Sequence, residues 1–215
     1  GVYIFSWKSL RAELIADEER AGTSHDFGKD IIPSMLSGGK RLFTHRFEGY
    51  WKDAGTIDSL WEANMDLLNP SVPLALYDPN WKIYSRTSAL PPHFVGAHAT
   101  VENSMITEGC DIDGEIDFSV LFAGVTVEEG AVVRDSIVMP GSIIRRGATV
   151  QYAIIAENCD IGAGSVIGER PECYPKDGTP WGIAVVGGGV SIAPGARVAP
   201  CEIISASNAR EAARQ

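Results

Sequence analysis

The sequence predicts two structural classes in one chain: an α/β segment over residues 1–69 and an all-β parallel β-helix over residues 93–207. Three observations support this prediction. In the second segment aliphatic residues repeat with a period of 17, and glycine recurs at a fixed place between them. The first segment alternates short apolar runs with helical patterns. A proline-rich connector over 70–92 separates the two segments, and a polar tail over 208–215 follows them.

The aliphatic residues of the second segment are separated by four to six residues, and from Leu121 onward three consecutive gaps sum to 17. Leu121, Val138 and Ile155 therefore share one column. This spacing is typical of a three-sided coil in which each side is a short strand with its aliphatic residue inward. A β-sandwich with regular turns has no reason to keep a 17-residue register. The other inward positions are Val95, Val101, Ile106, Ile112, Ile116, Val127, Val133, Ile144, Val150, Ile161 and Ile167.

Small or β-branched residues occupy the position four residues after the inward aliphatic, and glycine precedes them, as in Gly141-Ser142. Glycine permits the tight backbone turn that a coil corner needs. Cys110 and Cys159 occupy this same small position. We expect them to be packing thiols in a reducing compartment, rather than ligands of a metal or a redox pair.

The first segment begins with an apolar run, Val2 to Phe5, which predicts a short strand. Residues 8–19 then place leucine and isoleucine on one face and charges on the other, which predicts a helix. Asp26 is suited to cap a short helix that Pro33 kinks and Gly38 ends.

A second strand is predicted over Arg41 to Phe47, followed by the loop 49–56 and a helix over Ile57 to Leu68. Thr56 is a good N-cap for this helix, and Asp58 in its first turn suits the helix dipole. Strand–loop–helix junctions are where α/β proteins place ligand groups.

The connector is expected to be irregular and to pack through its aromatic residues Tyr77, Trp81 and Tyr84. Residues 169–181 contain three prolines, break the 17-residue period and should loop out. Val186, Ile192 and Val198 resume a spacing of six and predict a last partial coil.

Charge and composition exclude some partners. The formal net charge is −10 and no long basic run occurs, which argues against a nucleic-acid surface. No apolar run is long enough to cross a bilayer, so no membrane partner is expected. A cytoplasmic location is a separate expectation. The chain starts at Gly1, directly in the apolar run and without a targeting segment, which indicates the interior of a longer protein.

Asp53 is the best candidate for catalysis, because a carboxylate in a loop after a strand can hold Mg²⁺ against nucleotide phosphates. Alternatively it caps the following helix or pairs with Lys52, and the local sequence leaves these possibilities open. Asp26 and Phe27 could meet a sugar by hydrogen bonding and stacking, but the local sequence favours a helix cap and a core ring.

The four histidines are His25, His45, His93 and His98, so none lies in the coils after His98. Acyltransferases built on such coils use a histidine base, and the distribution argues against that class, with His98 as the one remaining candidate.

Three stretches, in this order and followed by the coils, carry a specific resemblance: residues 1–5 (GVYIF), 25–33 (HDFGKDIIP) and 50–56 (YWKDAGT), the last continuing into 60–68 (LWEANMDLL). They resemble the ADP-glucose pyrophosphorylases, or glucose-1-phosphate adenylyltransferases, of bacterial glycogen synthesis. The coils resemble hexapeptide repeats, which implies a left-handed β-helix. The first segment would then be the end of a nucleotidyltransferase (Rossmann-like) domain.

The resemblance implies that the intact protein joins ATP and glucose 1-phosphate into ADP-glucose and pyrophosphate with Mg²⁺. Asp53 matches the family's metal-binding catalytic carboxylate, and Tyr3, Asp26, Phe27 and Trp51 match positions that line the glucose 1-phosphate pocket. Ala54 departs from the family's usual valine, without consequence for catalysis.

The family's glycine-rich nucleotide loop, second metal-binding aspartate and sugar-phosphate lysine are expected before Gly1, so this chain alone should be inactive. The intact Trp51-Lys52-Asp53 favours a catalytic subunit. The resemblance also implies a homotetramer controlled by a small phosphorylated effector. Two alternatives remain: a purely assembly and regulatory subunit, and an acyltransferase.

Overall fold

In a computed structural model, the chain divides into two units, Gly1–Glu48 and Gly49–Gln215. The structure describes residues 1–74, 76, 78–84, 89–172 and 181–207. The expected tail, most of the expected loop at 169–181 and Tyr77 lie outside the described residues. The boundaries predicted at 69 and 92 stay predictions.

The first unit is built from helices. Helix α1 spans Trp7–Glu18, a π-helical turn spans Phe27–Ile31, and α2 continues from it over Ile32–Ser37. The predicted cap and end are confirmed: the Asp26 side chain accepts from two backbone N–H groups at the start of the turn, and Gly38 follows the last residue of α2.

The prediction of two strands in the first unit is wrong. Neither Val2–Phe5 nor Arg41–Phe47 is a strand, and the side chains of Val2 and Ile4 are 87% and 99% exposed. An extended segment becomes a strand only when a neighbour receives its backbone hydrogen bonds. No strand in the first unit offers that pairing.

The second unit opens with the loop 49–56 and helix α3, Ile57–Met65, which a 3₁₀ turn extends over Asp66–Leu68. The predicted cap is confirmed, because the Thr56 hydroxyl oxygen accepts the Ser59 backbone N–H at 3.1 Å.

The described residues from Phe94 to Ile204 form a parallel β-helix, as predicted. In the described part of the chain, 18 strands form three six-stranded sheets, and each strand pairs with the strands three before and three after it, where these exist. The strands are β1 (Phe94–Val95), β2 (Thr100–Glu102), β3 (Met105–Ile106), β4 (Asp111–Ile112), β5 (Glu115–Asp117), β6 (Val120–Leu121), β7 (Thr126–Val127), β8 (Val132–Arg134), β9 (Ile137–Val138), β10 (Ile143–Ile144), β11 (Thr149–Gln151), β12 (Ala153–Ile155), β13 (Asp160–Ile161), β14 (Val166–Ile167), β15 (Ala184–Val186), β16 (Ser191–Ile192), β17 (Arg197–Val198) and β18 (Ile203–Ile204).

The predicted columns are the core. Ile144 pairs in register with Val127 on one side and Ile161 on the other, and its side chain is fully buried. Val95 and Val101 are partly exposed, because their coil is the first and is covered on one side only. The corner glycines that precede the small positions have φ between 65° and 73°, as tight turns require.

The sheet of β3, β6, β9, β12, β15 and β18, here called the third sheet, is apolar on its outer face as well. The outward column is in register across all six strands. Helix α3 covers its middle with Trp61 and Met65, and the 3₁₀ turn that follows the helix adds Leu68. The column consists of Met105, Val120, Ile137, Ile154, Val185 and Ile203.

The connector does not pack as predicted, since Trp81 and Tyr84 are 81% and 87% exposed. The coils resume after the interruption, over β15 to β18, as predicted. Among the described residues, no helix has the length and hydrophobicity to span a bilayer.

Candidate functional site

The Asp53 carboxylate is exposed, in the loop that precedes α3. Both alternatives for it are contradicted, because Thr56 caps the helix and Lys52 pairs with other residues. Among the described residues, no hydrogen bond or ion pair engages this carboxylate. A Cβ on Gly55 would lie 3.3 Å from Asp53 Oδ1, so the backbone runs close beside the carboxylate. The arrangement leaves a hard, anionic oxygen donor open to solvent.

The residues on either side of Trp51 tie this loop to α3. The Lys52 ammonium lies 2.6 Å from Glu62 Oε2 and 3.6 Å from Asp66 Oδ2. The Tyr50 hydroxyl donates to Asp66 Oδ2 at 2.9 Å. Side chains therefore alternate along the loop: positions 50 and 52 bind the helix, whereas the Trp51 ring (61% exposed) and Asp53 face solvent.

These contacts shift the pKa values of the groups involved. Burial opposes the charge on Lys52, but the hydrogen bond to Glu62 and the attraction of Asp66 outweigh it, so the Lys52 pKa is raised. The hydrogen bonds from Lys52 and then from Trp181 lower the pKa of Glu62. Burial, followed by the bond to Asp66, raises the pKa of Tyr50.

The other predicted sugar-contacting residues, Tyr3, Asp26 and Phe27, lie in the first unit. The rings of Tyr3 and Phe27 stack at a centroid distance of 6.0 Å and an interplanar angle of 14°. Phe5 adjoins both, at 6.0 and 5.8 Å. Tyr3 is 47% exposed, so this aromatic group keeps an accessible face.

Asp26 serves as a helix cap, as its local sequence favoured. Its Oδ1 accepts the backbone N–H groups of Gly28 and Lys29, each at 2.8 Å. Asp30 in turn accepts the backbone N–H of Asp26 at 3.0 Å and the Ser24 hydroxyl at 2.7 Å. These bonds connect residues 24–26 to the π-helical turn that follows them.

Asp17 is a residue that sequence reasoning missed. It is 2% exposed, and its carboxylate accepts the Thr23 hydroxyl at 2.9 Å and lies 2.8 Å from His25 Nδ1. His25 has φ 57°, an uncommon backbone conformation for a residue other than glycine. In the sequence, Asp17 is one of several charges along α1, and nothing in that pattern marks it as buried.

The interface between α3 and the coils was also missed. The Trp61 ring lies 5.6 Å from that of Tyr152 and 4.9 Å from that of Trp181, measured between centroids. Trp181 donates its indole N–H to Glu62 Oε1 at 2.7 Å. The signal was present in the sequence: a second apolar residue directly precedes each inward aliphatic of the third sheet, including Met105, Val120, Ile137, Ile154 and Val185.

His98, the one histidine left as an acyl-transfer base, sits among charges. Its Nδ1 lies 3.1 Å from Asp113 Oδ2, and Glu129 is close enough for all three ligand atoms to lie within 4.8 Å. The hydrogen bond to Asp113 raises the His98 pKa and, from the other side, lowers the Asp113 pKa. Arg146 pairs with Glu129 at 2.8 Å, so ion pairing accounts for the cluster.

Two family models match the chain. Residues 1–70 match the nucleotidyl transferase family, and residues 91–186 match the GlmU-like C-terminal hexapeptide family. Curated relatives named glucose-1-phosphate adenylyltransferase are 49% identical over 172 residues, which is 80% of this chain. They include proteins of Bacillus cereus (strain ATCC 14579), Bacillus mycoides (strain KBAB4) and Bacillus thuringiensis (strain Al Hakam).

The matched region covers 45% of each relative, so the chain spans about half the length of the curated relatives it matches. These relatives favour the nucleotidyltransferase prediction over the acyltransferase and purely structural alternatives. The order of the two family matches also agrees with the order of the two segments predicted from the sequence. With a nucleotidyl transferase segment followed by hexapeptide coils, the chain is a homologue of the glucose-1-phosphate adenylyltransferases.

Proposed function

We propose that the full-length protein carrying this chain transfers the adenylyl group of ATP to glucose 1-phosphate, in glycogen biosynthesis. A phosphate oxygen of the sugar phosphate attacks the α-phosphorus of ATP, and the bond from that phosphorus to the departing pyrophosphate breaks. The products are ADP-glucose and pyrophosphate. The observation that carries the proposal is the 49% identity to glucose-1-phosphate adenylyltransferases over four-fifths of the chain.

Asp53 is proposed to hold Mg²⁺. One residue fits this role: Asp53 offers an exposed carboxylate, and no cation or N–H group of the described residues occupies it. Mg²⁺ is commonly held by one or two carboxylates together with substrate phosphates. When bound, the ion would neutralise charge on the reacting phosphates. The protein's part is to keep the Asp53 carboxylate in place.

Tyr3, Asp26, Phe27 and Trp51 are proposed to line the glucose 1-phosphate site. Support comes from the exposed faces of the Tyr3 and Trp51 rings, which suit stacking against a sugar. Asp26 keeps carboxylate acceptor capacity beyond its two cap bonds, because an ionised carboxylate can accept about four hydrogen bonds.

Asp53→Asn in the full-length protein tests this proposal. The neutral amide is a poor Mg²⁺ ligand, so turnover should fall at least about a hundredfold, equivalent to about 2.7 kcal/mol of transition-state stabilisation. The melting temperature should stay within about 2 °C, because no described bond depends on Asp53. Asp111 is an exposed aspartate on β4, so Asp111→Asn is the matched control. It should leave both turnover and melting temperature unchanged. An Asp53→Asn enzyme with unchanged turnover would refute the role of this carboxylate.

The 215-residue chain alone should release no pyrophosphate from ATP and glucose 1-phosphate. A lone carboxylate is a weak Mg²⁺ site, and no glycine-rich loop opens a helix after a strand among the described residues. Turnover above background, with the full-length protein as positive control, would show that the active site lies elsewhere in the chain.

The tetramer, the small phosphorylated effector and the cytoplasmic location belong to the same proposal and rest on the resemblance alone. Analytical ultracentrifugation of the full-length protein tests the tetramer. A screen of sugar phosphates and other phosphorylated metabolites for changes in turnover tests the effector.

A further inference from the structure

The loop that carries Asp53 is linked through α3 to the coils by a continuous chain of polar contacts. Lys52 is adjacent to Asp53, and its ammonium lies 2.6 Å from Glu62 Oε2. The other oxygen of the same carboxylate, Glu62 Oε1, accepts the indole N–H of Trp181 at 2.7 Å. The Glu62 side chain therefore has one oxygen on the loop and the other on the coils.

Trp181 is itself fixed in place. It lies shortly before β15, its backbone N–H donates to Asp58 Oδ1 at 3.3 Å, and its ring packs 4.9 Å from Trp61 and 6.3 Å from Tyr152. Trp61 is 4% exposed and Tyr152 is 2% exposed. The acceptor position of Glu62 is thus set by an aromatic cluster that α3 and the coils form together, with Trp61 on the helix and Tyr152 and Trp181 on the coil side.

The loop end of the link is also well defined. The Lys52 side chain is 30% exposed and Glu62 is 36% exposed, so their contact is only partly screened by water. Charge-assisted hydrogen bonds are about twice as strong as neutral ones. Tyr50, two residues before Lys52 in the loop, adds a second attachment by donating a hydrogen bond to Asp66. In contrast, Trp51 and Asp53 make no described contact that would fix them independently.

We propose that Lys52 and Glu62, anchored to the coils through Trp181, are positioning residues that hold the loop 49–56 and so present the Asp53 carboxylate at a fixed place. The inference rests on the proposed catalytic role of Asp53. It assigns to the β-helix a direct part in the geometry of the reacting site, through three side chains.

The test uses Lys52→Met, Glu62→Gln and Trp181→Phe in the full-length protein. Small misplacements of catalytic groups are costly, and about 1 Å can cost a hundredfold. We expect kcat to fall about tenfold in Lys52→Met and Glu62→Gln, with KM for ATP changed less than about twofold. Lys52→Arg, which keeps a donor for Glu62, should retain most of the activity. Trp181→Phe keeps a smaller aromatic ring but loses the N–H, so it should act in the same direction more weakly.

A double variant and a matched control distinguish a positioning role from a general loss of stability. Because both residues act through one contact, Lys52→Met/Glu62→Gln should be no slower than the slower single variant. Arg134→Met, which breaks the exposed ion pair with Glu115 on the coils, should leave kcat unchanged. Wild-type kcat in Lys52→Met and Glu62→Gln, alongside an inactive Asp53→Asn, would overturn the inference and leave the proposed function intact.

A second readout does not depend on turnover. NMR spectra of the 215-residue chain contain an indole N–H resonance from Trp51, which its loss in Trp51→Phe identifies. This resonance should shift or broaden in Glu62→Gln and should stay unchanged in Arg134→Met. An unchanged Trp51 resonance in Glu62→Gln would mean that this contact does not hold the loop. A full-length wild type without adenylyl transfer would instead refute the proposed function, whatever this resonance shows.

Discussion

Trp61 donates its indole N–H to the backbone carbonyl oxygen of Asp135 at 2.7 Å. Asp135 has φ 46° and occupies a coil corner between β8 and β9. The bond joins α3 to the backbone of the β-helix at a corner beside the apolar outer face of the third sheet, and it adds to the packing of Trp61 against that face.

Trp61→Phe should lower the free energy of unfolding by about 1–3 kcal/mol, because the partly buried Asp135 carbonyl loses its donor while most of the packing remains. Chemical denaturation of the chain measures this change. Trp81→Phe is the control, because Trp81 is 81% exposed and should be neutral. Equal stability of the two variants would contradict a structural role for the Trp61 bond.

Ile144→Asp should destabilise the coils by several kcal/mol, because it buries an unpaired carboxylate between Val127 and Ile161. The adjacent Ile143 is on the same strand but faces outward, so Ile143→Asp should cost much less. Thermal melting of the two variants compares the two faces of β10 directly. Similar melting temperatures would contradict the inward assignment of Ile144.

The His98–Asp113 pair should be visible in a pH titration by NMR. The folded chain raises the His98 pKa above its ordinary 6.5, chiefly through the Asp113 hydrogen bond, so this stabilisation is present below pH 6.5 and lost as the pH rises through the folded-state value. The Asp113 pKa is lowered from 3.8, so its contribution is present above that pH and lost as the pH falls through its folded-state value. The pair is therefore strongest between pH 3.8 and 6.5.

In Asp113→Asn, the His98 titration midpoint should move down towards 6.5. Glu129 adds a smaller upward influence on the His98 pKa and Arg146 a downward one, and both remain in this variant. A midpoint that does not change would show that Asp113 does not contact the imidazole in solution.

The cysteines should differ sharply in reactivity. Cys110 and Cys159 are 2% and 1% exposed, and burial raises the pKa of both thiols, so neither offers an accessible thiolate. Cys201 is exposed. Brief alkylation at pH 7.5 followed by peptide mass spectrometry should label Cys201, and should label Cys110 and Cys159 only after denaturation. Modification of Cys110 in the native chain would contradict the packing role expected for its thiol.

The β-helix could be predicted from sequence because its information is periodic. Each inward residue, such as Ile144, pairs with the aliphatic residue at the equivalent position of the neighbouring coils. One pattern repeated every 17 residues therefore specifies the strands, their inward face and their register together. The caps were predictable for a related reason: Asp26 and Thr56 act within three residues of themselves.

The failures involve partners that are distant in sequence. Val2–Phe5 has the composition of a strand, but a strand exists only if another strand pairs with it. Glu62 and Trp181 are 119 residues apart, and no local pattern indicates that they meet. Asp53 is an intermediate case, since the sequence located it in a loop but could not exclude pairing with Lys52.

The interruption between β14 and β15 has a consequence for how the coils fold. Ile137 pairs with Ile154, 17 residues later, whereas Ile154 pairs with Val185, 31 residues later. Closing the longer loop costs only roughly 0.5 kcal/mol more chain entropy. The earlier coils nevertheless form from uniformly local contacts, which favours rapid nucleation there, with the last coil added afterwards onto a finished template. Amide hydrogen exchange should therefore be faster in β15–β18 than in β6–β12.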